Sequence, residues 1–219
     1  MYLVLVCLGA DTFGLEPNEV IDHSYHIEKH LDPGCSPGSA SSYISADISF
    51  PQICIEKLSE AAEGQINTVL RQMAGLKKIP TATTVTVDYK VKKYQDFLSV
   101  VFHHTHMPCQ ASHPIDWYAA ATFDLESGKE FQAEDIFQGA YKNVFYTKVV
   151  DYLEMAYPKN FRDLYVDPDD FLQNFTFDDE HIYIYFDMYQ IGSAAFGSTV
   201  VAIPLVELHS HMKLIPLRR

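Results

Sequence analysis

Basic side chains are scarce in this chain: 16 Lys and Arg stand against 29 Asp and Glu in 219 residues, a net charge of −13. A protein that holds DNA or RNA through phosphates needs the opposite balance, so nucleic acid is excluded as a partner class. Cysteine is scarce too. Cys7, Cys35, Cys54 and Cys109 lie far apart and form no CxxC pair, which argues against a zinc ribbon or a thioredoxin-like redox site and leaves two disulfides open. A Gly-x-Ser-x-Gly nucleophile elbow is missing, because Gly192-Ser193-Ala194 and Gly197-Ser198-Thr199 both lack the second glycine. Gly128, Gly139 and Gly192 stand isolated, so no loop cradles a phosphate and no cofactor is expected. Long apolar runs are absent as well, and no membrane span is expected. The apolar start Met1–Leu8 has neither the basic region nor the small-residue cleavage site of an export signal, and it reads as an ordinary strand.

What is present fits a globular protein with a substantial core: 47% of residues are apolar and 13% aromatic. Residues 32–42 are a Pro/Gly/Ser loop that sets an N-terminal extension, 1–42, apart from a body with two halves, 43–125 and 126–219, packed as one unit. Tyr43–Phe50 alternates as a strand. Residues 56–74 place Leu58, Ala62, Ile66, Val69, Leu70 and Met73 on one helical face. Thr84–Lys92 alternates cleanly, with Val85, Val87, Tyr89 and Val91 on a dry face and Thr84, Thr86, Asp88, Lys90 and Lys92 on a wet one. Half-wet strands favour an antiparallel sheet. Phe97–His104 and Trp117–Asp124 continue it, residues 138–157 form a second amphipathic helix, and strands follow at Phe175–Phe177, His181–Asp187 and Thr199–Ile203. The expected fold is α+β, a curved antiparallel sheet with two amphipathic helices packed on one side.

The densest titratable cluster is His103-His104-Thr105-His106, with His113 nearby. Imidazole is a common metal ligand, and His103, His104 and His106 are weak metal candidates, but their spacing matches no structural zinc pattern and no HExxH helix is present. The acids Asp167, Asp169, Asp170, Asp178, Asp179 and Glu180 lie in turns, where carboxylates bond the backbone, and so are poor candidates for paired catalytic acids. The loop from Asp187 to Gly197 combines rings, small residues and glycines, the composition of a recognition surface. The candidate ligand-binding residues are Tyr189, Gln190, Ile191, Ser193 and Phe196 there, with His106, His113 and Trp117 around the 103–116 loop.

Several segments in order resemble one known family. Ser49-Phe50-Pro51-Gln52-Ile53 and the helix carrying Ile66-Asn67 are similar to the first half of the ectodomain of RsiV-type anti-sigma factors, the bacterial lysozyme sensors, which is related to a domain of certain peptidoglycan deacetylases. Phe123-Asp124-Leu125-Glu126-Ser127-Gly128-Lys129 with Asp135-Ile136-Phe137 resembles its "fDlxtGkxlxlxDlF" segment. Ile182 to Phe186, Tyr189-Gln190-Ile191, Gly197 and Ala202 to Leu208 resemble its "fxfxxYeIaxxaxGxxxvxIPyxeL" ending. The resemblance spans about residues 43–208. It implies a non-catalytic extracytoplasmic binding or sensing domain whose partner is lysozyme, another cationic protein, or peptidoglycan. The alternative is a metal-dependent hydrolase of cell-wall material using the histidines and a carboxylate; a third is a structural module that oligomerises through a sheet edge or the N-terminal extension. Charge bears on the first of these. Residues 163–212 carry Asp163, Asp167, Asp169, Asp170, Asp178, Asp179, Glu180, Asp187 and Glu207 and no Lys or Arg, so a cationic protein would be steered there.

Overall fold

The computed structural model describes residues 12–13, 15, 19–29, 44–56, 58–75, 83–108, 111–158, 164–168 and 171–213. The apolar start, the 32–42 loop, Cys7, Cys35, Cys109, Asp163, Asp169 and Asp170 lie outside them. Cys54 is half-buried and a free thiol.

The strands are β1 (Thr12–Phe13), β2 (Val20–Lys29), β3 (Ile44–Ile53), β4 (Thr83–Tyr94), β5 (Phe97–Pro108), β6 (Ile115–Asp124), β7 (Phe175–Phe177), β8 (His181–Phe186) and β9 (Thr199–Pro204). The helices are α1 (Glu60–Met73), the single turn α2 (Ala133–Ile136) and α3 (Tyr141–Ala156). β2 to β6 form a large sheet in chain order, with β1 beside the far end of β4, and β7, β8 and β9 form a small one.

The α+β class is as the sequence implies, while the layering is richer than one antiparallel sheet with both helices on one side. β3 and β4 run parallel, Ser45 opposite Thr84 to Ile48 opposite Val87, and α1 makes the crossover between them. β1 also runs parallel to β4; the remaining pairs are antiparallel. β2 lies within the stretch read as an extension, yet pairs with β3 along its whole length. The two helices cover different sheets. Ile66 and Leu70 of α1 pack on the dry face of the large sheet with Val87, Val100, Phe102 and Phe123. Tyr141, Phe145, Val149 and Leu153 of α3 pack on the small sheet with Ile182, Ile184, Val201 and Ile203. Two cores result, because each helix has one apolar stripe and each sheet one face dry enough to receive it. The layers are α1, large sheet, small sheet, α3.

Helix α1 begins at residue 60 rather than 56 because Ser59 caps it, its hydroxyl accepting the Ala62 N–H at 3.2 Å, with Glu60 and Glu63 in the first turn. Its buried Asn67 then clamps β3: the side chain accepts the Ile53 N–H at 2.8 Å and donates to the Ile53 carbonyl at 2.9 Å. Asn67→Ala should lower unfolding free energy by about 2–3 kcal/mol, since both backbone groups of Ile53 would stay buried without partners. Urea denaturation measures this, and an unchanged midpoint would refute the clamp.

The 124–135 segment, sought as part of a family signature, is a built turn. Asp124 accepts from the Glu126 N–H and the Ser127 hydroxyl, and Lys129 reaches Asp135 at 2.7 Å, whose other oxygen accepts the Gln132 N–H at the start of α2. Gly128 closes that turn with φ +73, directly against Ala62 of α1. These contacts hold the turn and the start of α2 in place.

Candidate functional site

The wet face of the large sheet is the starting point. On β4 it presents Asp88, Lys90 and Lys92, on β5 Ser99, Val101 and His103, and on β6 Tyr118. The alternation of β8 aims Ile182, Ile184 and Phe186 into the small sheet's own core, which leaves Tyr183 and Tyr185 on the other face, toward the large sheet. Between the two faces runs a groove of about 730 Å³, with Thr176 of β7 and Val200 of β9 completing its wall.

Polar links fix the sheets around it. Ser99 Oγ donates to the Phe177 carbonyl at 2.8 Å and accepts the Phe177 N–H at 3.4 Å, so one hydroxyl joins β5 to β7 as a ladder rung would. At one end of the groove Asp178 is almost wholly enclosed, with 3% of its side chain exposed. Its Oδ2 accepts from Lys92 Nζ and from the Tyr183 hydroxyl, both at 2.7 Å; its Oδ1 accepts the Glu180 and His181 amides at 2.7 and 2.8 Å. Burial alone would push this carboxyl up, but the Lys92 ammonium, the two amides and the tyrosine bring it down to about 2. At the other end the Tyr118 N–H donates to Asp187 Oδ1 at 2.7 Å and the Ala120 N–H to Asn174 Oδ1 at 3.2 Å, closing the free edge of β6. Burial raises the Asp187 carboxyl, against the pull of the Tyr118 amide. Tyr118 stacks on His103 with ring centres 5.0 Å apart and meets Tyr185 at a tilt 5.1 Å away, and its hydroxyl accepts from Ser198 at 3.4 Å. Tyr185 shares a hydrogen bond of 2.9 Å with Thr176.

The two loops singled out in the sequence meet at that second end. The Met188 N–H donates to the Asp116 carbonyl at 3.0 Å, and the Tyr189 hydroxyl lies 3.3 Å from His113 Nε2. Tyr189 is half exposed and held at φ 72, an uncommon backbone state for a tyrosine. Ser193 is exposed beside it. The remaining candidates face elsewhere. Ile191 is buried in the small-sheet core, Phe196 packs edge-on against Tyr157, and Gln190 accepts the Asp187 N–H, shaping the loop from inside.

Trp117 and His106 belong to the opposite face of the large sheet. There Trp117 lies flat on His104, with ring centres 5.0 Å apart, and meets His106 edge-on. Burial drives the His104 imidazole down to about 4, opposed by its hydrogen bond to the Met73 backbone. His103, on the groove side, sits 3.8 Å from Asp116. Strand alternation therefore parts His103 from His104 and His106, and among the described residues no three His, Cys, Asp or Glu side chains gather as metal ligands.

Comparison with known proteins adds the following. Residues 134–205 match a family model described as Protein of unknown function (DUF3298). That DUF3298 match runs from α2 through α3 to β9, the small-sheet half of the molecule. Two solved structures share the fold over nearly the whole chain. A DUF3298 family protein from Pseudomonas aeruginosa PAO1 superposes with a TM-score of 0.60 at 12% identity, over 89% of this chain and 94% of its own. A DUF3298 family member from Bacteroides fragilis gives 0.60 at 14% identity, over 90% and 95%. No curated protein matches the chain. Among the described residues no helix is long and apolar enough to cross a membrane.

The groove wall is what sequence reading missed. Its signal was present as two wet or aromatic strand faces, Asp88/Lys90/Lys92 and Tyr183/Tyr185. Nothing local says that these two faces oppose each other.

Proposed function

We propose that this chain is a non-catalytic recognition domain of RsiV type that works outside the cytoplasm and binds a protein such as lysozyme or a cell-wall glycan. The observation that carries the reading is the meeting of the 111–116 and 187–198 segments at one mouth of the groove, where Tyr189 and His113 stand exposed and in contact. Exposed tyrosine supplies contact area at little entropic cost, and a rigid two-sheet scaffold holds it in place. The order of sequence segments that resembles the RsiV-type ectodomain supports the same reading.

Charge steering toward a cationic partner has a narrower base than the acid-rich tail implied. Asp178 is buried against Lys92, Glu207 pairs with Lys148, and Asp187 is spent on the β6 edge. Among the described acids of that stretch, Asp167, Asp179 and Glu180 are exposed, with Asp179 3.8 Å from Lys92. The metal-dependent hydrolase gains no observation of its own, given the separation of His103 from His104 and His106.

Titration with lysozyme and with soluble peptidoglycan fragments tests the proposal. Saturable binding to one of them is expected, weakened about tenfold by Tyr189→Ala, as for a central aromatic anchor worth about 1.4 kcal/mol. Absence of binding to both at high micromolar concentration would sink it.

A further inference from the structure

The groove is electrically balanced although the chain is strongly acidic. Its lining contains two carboxylates, Asp88 and Asp178, and two ammonium groups, Lys90 and Lys92. Asp178 and Lys92 neutralise each other directly at 2.7 Å. A polycationic protein segment laid along this wall would therefore find no net attraction, and a polyanion none either. A lipid tail would strip water from exposed Asp88 and return no hydrogen bonds, which is costly. An extended peptide needs a strand edge for its backbone, whereas the walls here are sheet faces, and the β6 edge is already closed by Asp187 and Asn174. What fits is a neutral ligand with an apolar face for aromatic rings and a rim of hydroxyls for charged and polar side chains. Tyr183 is half-buried along the wall with Val101 and Val200, while the Tyr118 ring is already engaged by His103 and Tyr185. The volume falls within the roughly 300–1,000 Å³ of small-ligand clefts.

We infer that the groove between the two sheets binds a short neutral oligosaccharide, its apolar sugar faces against Tyr183, Val101 and Val200 and its hydroxyls toward Asp88. This rests on the recognition reading above and narrows it to an uncharged glycan at a named place. Calorimetric titration of the whole chain with an N-acetylglucosamine tetramer, with cellotetraose and with lysozyme separates the outcomes. Saturable binding of at least one tetrasaccharide is expected, with the two arms showing whether N-acetyl groups matter. Val101→Trp should fill the groove from the large sheet and weaken that binding at least about tenfold, or about 1.4 kcal/mol. Val200→Phe, from the facing wall, gives the same test should the first variant fold poorly by circular dichroism. Glu154→Ala on α3 should leave binding unchanged. Lysozyme binding without sugar binding overturns the inference and leaves the recognition reading intact; no binding of these probes or of soluble peptidoglycan fragments overturns both. Sugar binding that survives both groove-filling variants overturns the assignment to the groove.

Discussion

Gly128→Ala should destabilise the protein by about 3 kcal/mol, the sum of a forced left-handed residue and a steric overlap. The backbone there has φ +73, and a Cβ would lie 2.7 Å from Ala62 Cα and 2.8 Å from the Ala62 carbonyl oxygen. Both obstacles are backbone atoms in the first turn of α1, so no rotamer change relieves them. The turn and the helix would have to separate, loosening the large-sheet core at Phe123 and Ile66. Gly139 provides the comparison. Its φ is +67, but a Cβ would meet only a His211 ring atom at 3.8 Å. Gly139→Ala should therefore cost the conformational part alone, about 1–2 kcal/mol. Urea denaturation of both variants decides the matter: equal losses would show that contact with Ala62 contributes nothing.

Removal of the Asp178 carboxylate is the second large effect. Asp178→Ala strips one acceptor from Lys92, the Tyr183 hydroxyl and the Glu180 and His181 amides together, and should cost about 3 kcal/mol at neutral pH. The wild type carries its own pH signature. A carboxyl held at about 2 in the folded chain, against an ordinary 3.8, binds a proton less readily folded than unfolded. Its contribution is complete above about pH 4 and is lost as the pH falls through about 2, an amount on the order of 2 kcal/mol. The gap in stability between wild type and Asp178→Ala should narrow over that interval. A gap that stays constant down to pH 2 would mean the carboxylate is not the source of the difference.

Legibility in the sequence followed the range of the forces involved. Helix α3 was readable because Tyr141, Phe145, Val149 and Leu153 repeat at the helical period and all four are buried. β4 was readable because its alternation is strict. Its antiparallel partner β5 was readable as well, but its parallel pairing with β3 was not. A strand with one wet face argues for antiparallel neighbours, yet β4 runs parallel to β3 and keeps its outer face wet because that face lines a groove. The 187–197 segment was legible as a loop by composition, while the directions of its side chains divided on a tertiary fact. Tyr189 stays outside, and Ile191 and Phe196 turn inward, because the small-sheet core lies beneath them. Trp117 and His106 were placed with the loop through sequence proximity; the two-residue period of β5 and β6 sends them to the other face.

The hydroxyls along the groove have one more consequence. Tyr183 is tied to Asp178, Tyr185 to Thr176 and Tyr118 to Ser198, so each ring is held in a fixed rotamer before any ligand arrives. Ordering such side chains on binding ordinarily takes about 0.5–1.5 kcal/mol apiece. Here that loss is incurred during folding, and the freedom surrendered on association is chiefly the ligand's own. Affinity at this wall should accordingly rise when the ligand is stiffened.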